Sequence, residues 1–308
     1  MLRLRLLAFA LCFLSIAAPS ARGAERRGVL VVAHGGNSEW NAAVRKAVKQ
    51  AHLDAPAEVA FGMGMHPEEV RTFQQAVNRL ERRGVDQILV VALLVSSHSE
   101  VYRQYEYLFG LRPKPEWQEA GEPLDLEVPV VIGQTLESSP FLEAILLDRA
   151  KALSQQADEE TVVLVAHGPN DEADNQLWLR VLGQVAATIK QEGGFLDVVS
   201  LTMRDDAPEA IHQEASQALR KLVEERSQQG RVLVIPVLIA KGGIERKIPQ
   251  MLAGLSYVYR GETLLPHPKM IEWIRSQAAR TETSSRQAEG RSRLVHAFSV
   301  GGSVGGIE

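Results

Sequence analysis

The clearest pattern along the chain is a short, unbroken apolar run that ends in His-Gly, and it occurs twice. Gly28-Val29-Leu30-Val31-Val32-Ala33-His34-Gly35 returns later as Thr161-Val162-Val163-Leu164-Val165-Ala166-His167-Gly168. A β-branched run without polar alternation reads as a strand buried on both faces, as in a parallel sheet. The glycine after each histidine suits a tight strand-to-helix turn, where the backbone needs freedom in φ. Helical periodicity follows each run, over 39–53 and 174–191.

A second pair of apolar runs follows the same logic. Gln87-Ile88-Leu89-Val90-Val91-Ala92-Leu93-Leu94-Val95 is matched by Val232-Leu233-Val234-Ile235-Pro236-Val237-Leu238-Ile239. Amphipathic helices precede them, over 67–83 and 207–229. Weaker strands are expected at 57–61 and 198–201, fourth strands at 128–132 and 262–265, and a helix closes each half, at 140–154 and 268–279. Strands alternating with helices imply parallel sheets with crossover helices. The expected fold class is therefore α/β: two tandem Rossmann-like lobes, each a small parallel sheet flanked by helices, meeting near 155–160. In such sheets ligands bind outside the carboxyl ends of the strands, which puts the expected site in the cleft between the lobes.

The chain ends break this pattern. Arg3 and Arg5 precede an apolar run over 6–18, and Pro19-Ser20-Ala21-Arg22-Gly23-Ala24 follows it. A basic start, a short apolar stretch and a small-residue exit make a secretory signal peptide, with cleavage expected after Ala21, Gly23 or Ala24. The run is too short for a membrane span of about 20 residues. The expected organisation is a signal peptide at 1–24, an N-terminal domain at 25–155, a C-terminal domain at 156–280 and a flexible, Gly- and Ser-rich tail at 281–308. The expected location is outside the cytoplasm, in the periplasm, with no stable membrane association after cleavage.

Composition narrows the chemistry. The 308 residues are 45% hydrophobic and 23% charged, which is ordinary for a globular protein. A net charge of −4 leaves no electrostatic footprint for nucleic acid. Cys12, the only cysteine, lies in the signal segment, so a mature chain has no thiolate and holds any metal through His, Asp or Glu. No P-loop, Gly-x-Gly-x-x-Gly after a strand or Gly-x-Ser-x-Gly elbow is present, so no nucleotide cofactor is expected.

Histidines at strand ends are the candidates that remain. His34 ends the first strand, and His98 follows the strongest one in Val95-Ser96-Ser97-His98-Ser99-Glu100. Neutral imidazole suits first-row divalent ions. Glu100 is available to accept protons, although a carboxylate there also suits a helix start. The second half reads Lys241-Gly242-Gly243-Ile244-Glu245-Arg246 where His98 would recur, so one half alone carries the pair. Lys241 and Arg246 fit either an acidic ligand or a solvated loop. His167 marks the repeat, His267 reads as a helix cap, His66 lies near the cleft, and His52, His212 and His296 read as surface or tail residues.

The strand-His-Gly opening, the loop histidine and the segment Tyr259-Arg260-Gly261-Glu262-Thr263-Leu264-Leu265-Pro266-His267-Pro268 resemble the sirohydrochlorin cobaltochelatase family of class II tetrapyrrole chelatases. The resemblance covers about 28–280 as two tandem chelatase-like halves. It implies insertion of Co²⁺, or of Fe²⁺ or Ni²⁺ as in relatives, into a sirohydrochlorin-type tetrapyrrole. It also implies that His34 and His98 bind the metal and help remove pyrrole protons, with Glu100 beside them. The family's acidic residue after the second strand finds no match at Met63-Gly64 or Arg204-Asp205. The signal peptide suggests an alternative, a non-catalytic periplasmic protein that binds metal or tetrapyrrole.

Overall fold

A computed structural model of the chain describes residues 26–137 and 139–280. The expected signal peptide and tail lie outside these residues. Seven strands and eight α-helices are described: β1 Arg27–Ala33, α1 Ser38–Gln50, β2 Ala57–Phe61, α2 Pro67–Arg82, β3 Gln87–Ala92, α3 Glu100–Leu108, β4 Val130–Ile132 and α4 Pro140–Leu153 in the first half. The second half holds β5 Glu160–Ala166, α5 Glu172–Gly193, β6 Asp197–Thr202, α6 Glu209–Ser227, β7 Arg231–Val237, α7 Ile244–Met251 and α8 Pro268–Ala278.

The first sheet runs β2-β1-β3-β4 and the second β6-β5-β7, every pair parallel. The two sheets are α/β layers of one kind, as the repeat requires. Each central strand is apolar throughout because both of its faces are covered. Leu30 and Val32 pack outward with Phe73 and Leu80 of α2, while Val29 and Val31 face the opposite core. In the second half, Val163 and Val165 pack outward with Leu219 and Val223 of α6.

The inner faces of the two sheets share one core. Val29 and Val31 belong to the same cluster as Val162, Leu164, Leu182 and Trp273. Within it the closing helices are exchanged. Helix α4, at the end of the first half, packs on α5 and β7 of the second; α8, at the end of the chain, packs on α1 and β3 of the first. This differs from the expectation that each helix closes its own half. The reason is burial: α4 buries Leu142, Ile145, Leu146, Leu147, Ala150 and Leu153, and a helix apolar on so many sides needs partners on more than one face. Polar bonds fix the exchange, with Arg275 Nε donating to Ala51 O at 3.0 Å and Arg149 Nη2 to Thr263 O at 2.9 Å.

The expected strand at 262–265 does not form. Val258 makes a single parallel bridge to Leu233, and Gly261, at φ +64°, turns the chain before pairing extends. The segment beyond still ties to the chain after β7, through Leu264 N–H to Leu238 O and Leu265 N–H to Ile239 O, both 2.8 Å. Helices α3 and α7, absent from the periodicity reading, follow the loops after β3 and β7. Among the described residues no helix is long and apolar enough to cross a membrane.

Candidate functional site

A cavity of about 650 Å³ opens at the carboxyl ends of both sheets, within the range of about 300–1,000 Å³ common for small-molecule sites. Each half contributes the loops after its strands: 34–36, 63–65 and 94–101 from the first, 167–170, 206 and 237–244 from the second. The apolar runs of β3 and β7 outlast their strands because Leu94, Val95, Leu238 and Ile239 wall this cavity. Trp40, Trp117 and Trp178 line it as well, three of the four tryptophans in the chain. Its charged lining is acidic, Glu100 and Asp206, and among the described residues no lysine or arginine joins it.

His34 leaves the end of β1 through Gly35, which sits at φ +83°. Its ring lies against Trp40, centroids 4.6 Å apart and 38° between planes, so the first turn of α1 orients the imidazole. The ring is open to solvent through the cavity but closely walled. That burial lowers its pKa from the ordinary 6.5, and the neighbouring His167 lowers it further, against weaker opposite effects of the Gly35 backbone and Asp206. These surroundings favour the neutral form of the His34 imidazole.

His167 ends β5 as His34 ends β1, and Gly168 repeats the turn at φ +77°. Its Nδ1 lies 2.8 Å from Gly168 O, and its Nε2 lies 3.2 Å from Asp206 Oδ2. Burial works to lower the His167 pKa, but hydrogen bonds to Asp206 and Gly168 outweigh it and hold the value above the ordinary range. Asp206 is the acid that sequence reading missed. Gly62 N–H bonds Ala33 O as Met203 N–H bonds Ala166 O, which aligns the halves and sets Asp206 opposite Met65. That alignment, together with the proline that opens each following helix, Pro67 and Pro208, is a signal already in the sequence.

Glu100 lines the cavity and also begins α3, so its two readings describe one residue. His98 is half-buried two residues before it, and its side chain is not part of the lining. Its main chain is firmly held: His98 N–H donates to Ser96 Oγ at 3.1 Å, and Trp178 Nε1 donates to His98 O at 2.6 Å. Glu137 fastens the same segment, accepting from the Ser96 and Ser97 hydroxyls and from Ser97 N–H at 2.9 Å.

Among the described residues, the remaining histidines stand apart from the cavity lining. His267 caps α8, its Nδ1 accepting from Lys269 N–H at 3.2 Å, as expected. His66 occupies the cap position of α2 without a side-chain capping bond, while Met63 and Met65 line the cavity. In the second half Gly243, at φ +125°, takes the place of a loop histidine, and Glu245 Oε2 accepts from Gly242 N–H and Gly243 N–H at 3.0 and 2.8 Å.

The arrangement offers a neutral imidazole, a histidine–carboxylate pair and a free carboxylate around an aromatic slot. It can hold a divalent ion against a flat, apolar-faced ligand and accept protons from it.

Comparison with known proteins agrees with the tandem architecture. The CbiX family model matches residues 28–153 and, again, 161–281. SirB from Bacillus subtilis with Fe³⁺ superposes with a TM-score of 0.59 at 16% identity, over 85% of this chain and 98% of that one. The sirohydrochlorin chelatase SirB from Bacillus subtilis subspecies spizizenii, in complex with cobalt, gives 0.52 at 16% identity, over 82% and 94%. DR2241 from Deinococcus radiodurans, a multi-domain protein with structural similarity to chelatases, gives 0.54 at 15% identity, over 89% of this chain and 60% of its own. At such identities the likeness is one of fold. No match was found among curated protein sequences.

Proposed function

The chain belongs to the CbiX family of metal chelatases, and from that premise we propose that it inserts a divalent ion, Co²⁺ foremost, into a sirohydrochlorin-type tetrapyrrole held in the cavity between its lobes. The observation that carries this reading is His34, set against Trp40 at the wall of a tryptophan-lined cavity large enough for an organic ligand. The tryptophans offer faces on which a macrocycle stacks. His34 holds the ion by a lone pair and exchanges for part of its water. Glu100, the free carboxylate of the lining, accepts pyrrole protons as the nitrogens take the metal. The acidic lining draws the cation in, while Lys241 and Arg246, which flank Gly242 and Ile244 in the chain, offer charge to ligand carboxylates outside the lining.

His98 enters the proposal as a second ligand from the first lobe. Ser96, Ser99 and Glu100 of its segment line the cavity, which supports this assignment. The N-terminal 24 residues support action outside the cytoplasm. Export favours a second reading, a periplasmic binder of metal or tetrapyrrole without turnover.

Titration of the mature chain with metal-free sirohydrochlorin, followed by tryptophan fluorescence and by absorbance after Co²⁺ is added under anaerobic conditions, tests the proposal. Quenching followed by the spectral change of metal insertion, faster than without protein, supports it. Quenching with no acceleration leaves only the binder, and the absence of quenching contradicts insertion and tetrapyrrole binding alike.

A further inference from the structure

We propose that Arg103 is a positioning residue for the macrocycle: it fixes Trp117 as a wall of the cavity, on a segment that the second half lacks. This rests on the macrocycle-binding part of the reading above and is independent of turnover.

The segment breaks the repeat. In the first half the chain runs from Leu108, the end of α3, to Val130 before it pairs with β3. In the second half it passes from Met251, the end of α7, straight to Val258, which bridges to β7. Connections longer than about 12–15 residues with no strand or helix of their own are uncommon in compact domains, and ordered ones usually carry function. This one holds a single short turn, Gln118–Ala120, and is tied along α3. Glu116 N–H donates to Gln104 Oε1 at 2.9 Å, and Tyr107 donates its hydroxyl to Gly121 O at 2.8 Å. The buried Gln104 in turn donates to Gly64 O at 2.8 Å, between Met63 and Met65 of the cavity lining.

Arg103 is the strongest of these ties. Its Nε donates to Glu116 Oε1 at 2.8 Å and its Nη2 to Glu116 Oε2 at 3.3 Å, a two-pronged grip on the residue next to Trp117. Its Nη1 donates to Asp174 Oδ2 at 2.8 Å, on α5 of the second lobe. The side chains are 24%, 18% and 11% exposed, so solvent screens this group less than an ordinary surface pair. A lysine has one nitrogen and cannot span both carboxylates in this way.

The grip converges on the cavity. Asp174 stands one turn before Trp178 on α5, and α3 begins at Glu100. One guanidinium therefore joins the three elements that bring Glu100, Trp117 and Trp178 to the lining. Trp117 is half-buried and lies on a segment without sheet pairing, so Arg103 supplies the rigidity that a strand would. An aromatic face held still before the ligand arrives leaves less ordering to be done on binding.

The test is titration of the full chain with metal-free sirohydrochlorin, followed by the absorbance of the macrocycle, together with KM and kcat for Co²⁺ insertion under anaerobic conditions. The variants are Trp117→Ala, Arg103→Met, Glu116→Gln and the double variant Arg103→Met/Trp117→Ala; far-UV circular dichroism checks that each is folded. Trp117→Ala is expected to weaken binding by about tenfold, the value of one good aromatic contact, and Arg103→Met and Glu116→Gln by less. Each raises KM more than it lowers kcat. The double variant binds no more weakly than Trp117→Ala, because Arg103 acts through Trp117. If Arg103→Met does not fold, Glu116→Gln carries the same comparison. Wild-type affinity in Trp117→Ala overturns the proposal, as do losses that simply add in the double variant, which would make Arg103 a structural clamp. The expected losses in binding, with no insertion by wild type, keep the proposal and remove the chelatase reading. Accelerated insertion with a wild-type KM in every variant does the reverse.

Discussion

Trp178, on α5 of the second lobe, donates its indole N–H to the main-chain carbonyl of His98 in the first lobe at 2.6 Å. One lobe thereby holds the loop through which the other presents Ser99 and Glu100 to the cavity. Trp178 is 8% exposed, so its ring packs in the shared core while its one polar atom crosses to the partner lobe.

Trp178→Phe keeps most of the ring and removes the donor. The His98 carbonyl then loses a partner at a part-buried position, which costs about 1–3 kcal/mol. Amide exchange at Ser97, His98 and Ser99 is expected to accelerate more than exchange in β1 or β5, as measured by hydrogen–deuterium exchange. Equal protection in wild type and variant would show that the bond does not hold the loop.

The two His-Gly turns differ in how much room they leave. A Cβ on Gly168 meets Thr202 Cβ at 2.5 Å, whereas one on Gly35 meets Phe61 Cβ at 3.3 Å. Both glycines also lie at positive φ, where a side chain costs about 1–2 kcal/mol. Gly168→Ala is expected to lower the denaturant midpoint more than Gly35→Ala, with the difference set by the clash alone. The reverse order would contradict this packing.

Glu160 is 1% exposed at the start of β5 and is bound by Ser154, by Gln155 N–H at 3.0 Å and by Arg231, itself 31% exposed. Burial alone would raise the carboxyl, but these donors together hold it below its ordinary 4.5. A depressed carboxyl pKa stabilises the fold above the unfolded value and loses that contribution as pH falls through the folded one. Glu160→Gln is therefore expected to cost about 1–3 kcal/mol at pH 7. Urea unfolding at pH 7 and again below pH 4.5 should show the gap between wild type and variant narrowing in acid. A gap independent of pH would assign the cost to packing.

Much of this architecture was legible in the chain. Central strands buried on both faces must be apolar throughout, so 28–33 and 161–166 announced parallel sheets, and the repeat announced two lobes. The exchange of α4 and α8 was not legible, because an apolar helix shows how much of it is buried and not by which sheet. At the site, strand-end position brought forward His34, but periodicity stops where a loop begins and says nothing of where a side chain such as His98 points. Asp206 was legible in principle, three residues past Met203, whose N–H bonds Ala166 O as that of its counterpart Gly62 bonds Ala33 O. Trp117 lies on an irregular segment with no repeat partner, and only the folded chain brings it to the cavity.

The central claim, that His34 serves metal insertion in the inter-lobe cavity, is tested most directly by the initial rate of Co²⁺ insertion into metal-free sirohydrochlorin under anaerobic conditions. Wild type is expected to exceed the protein-free rate, and His34→Ala to fall back toward it while remaining folded. A wild-type rate equal to the protein-free rate, or a His34→Ala rate equal to wild type, would contradict the claim.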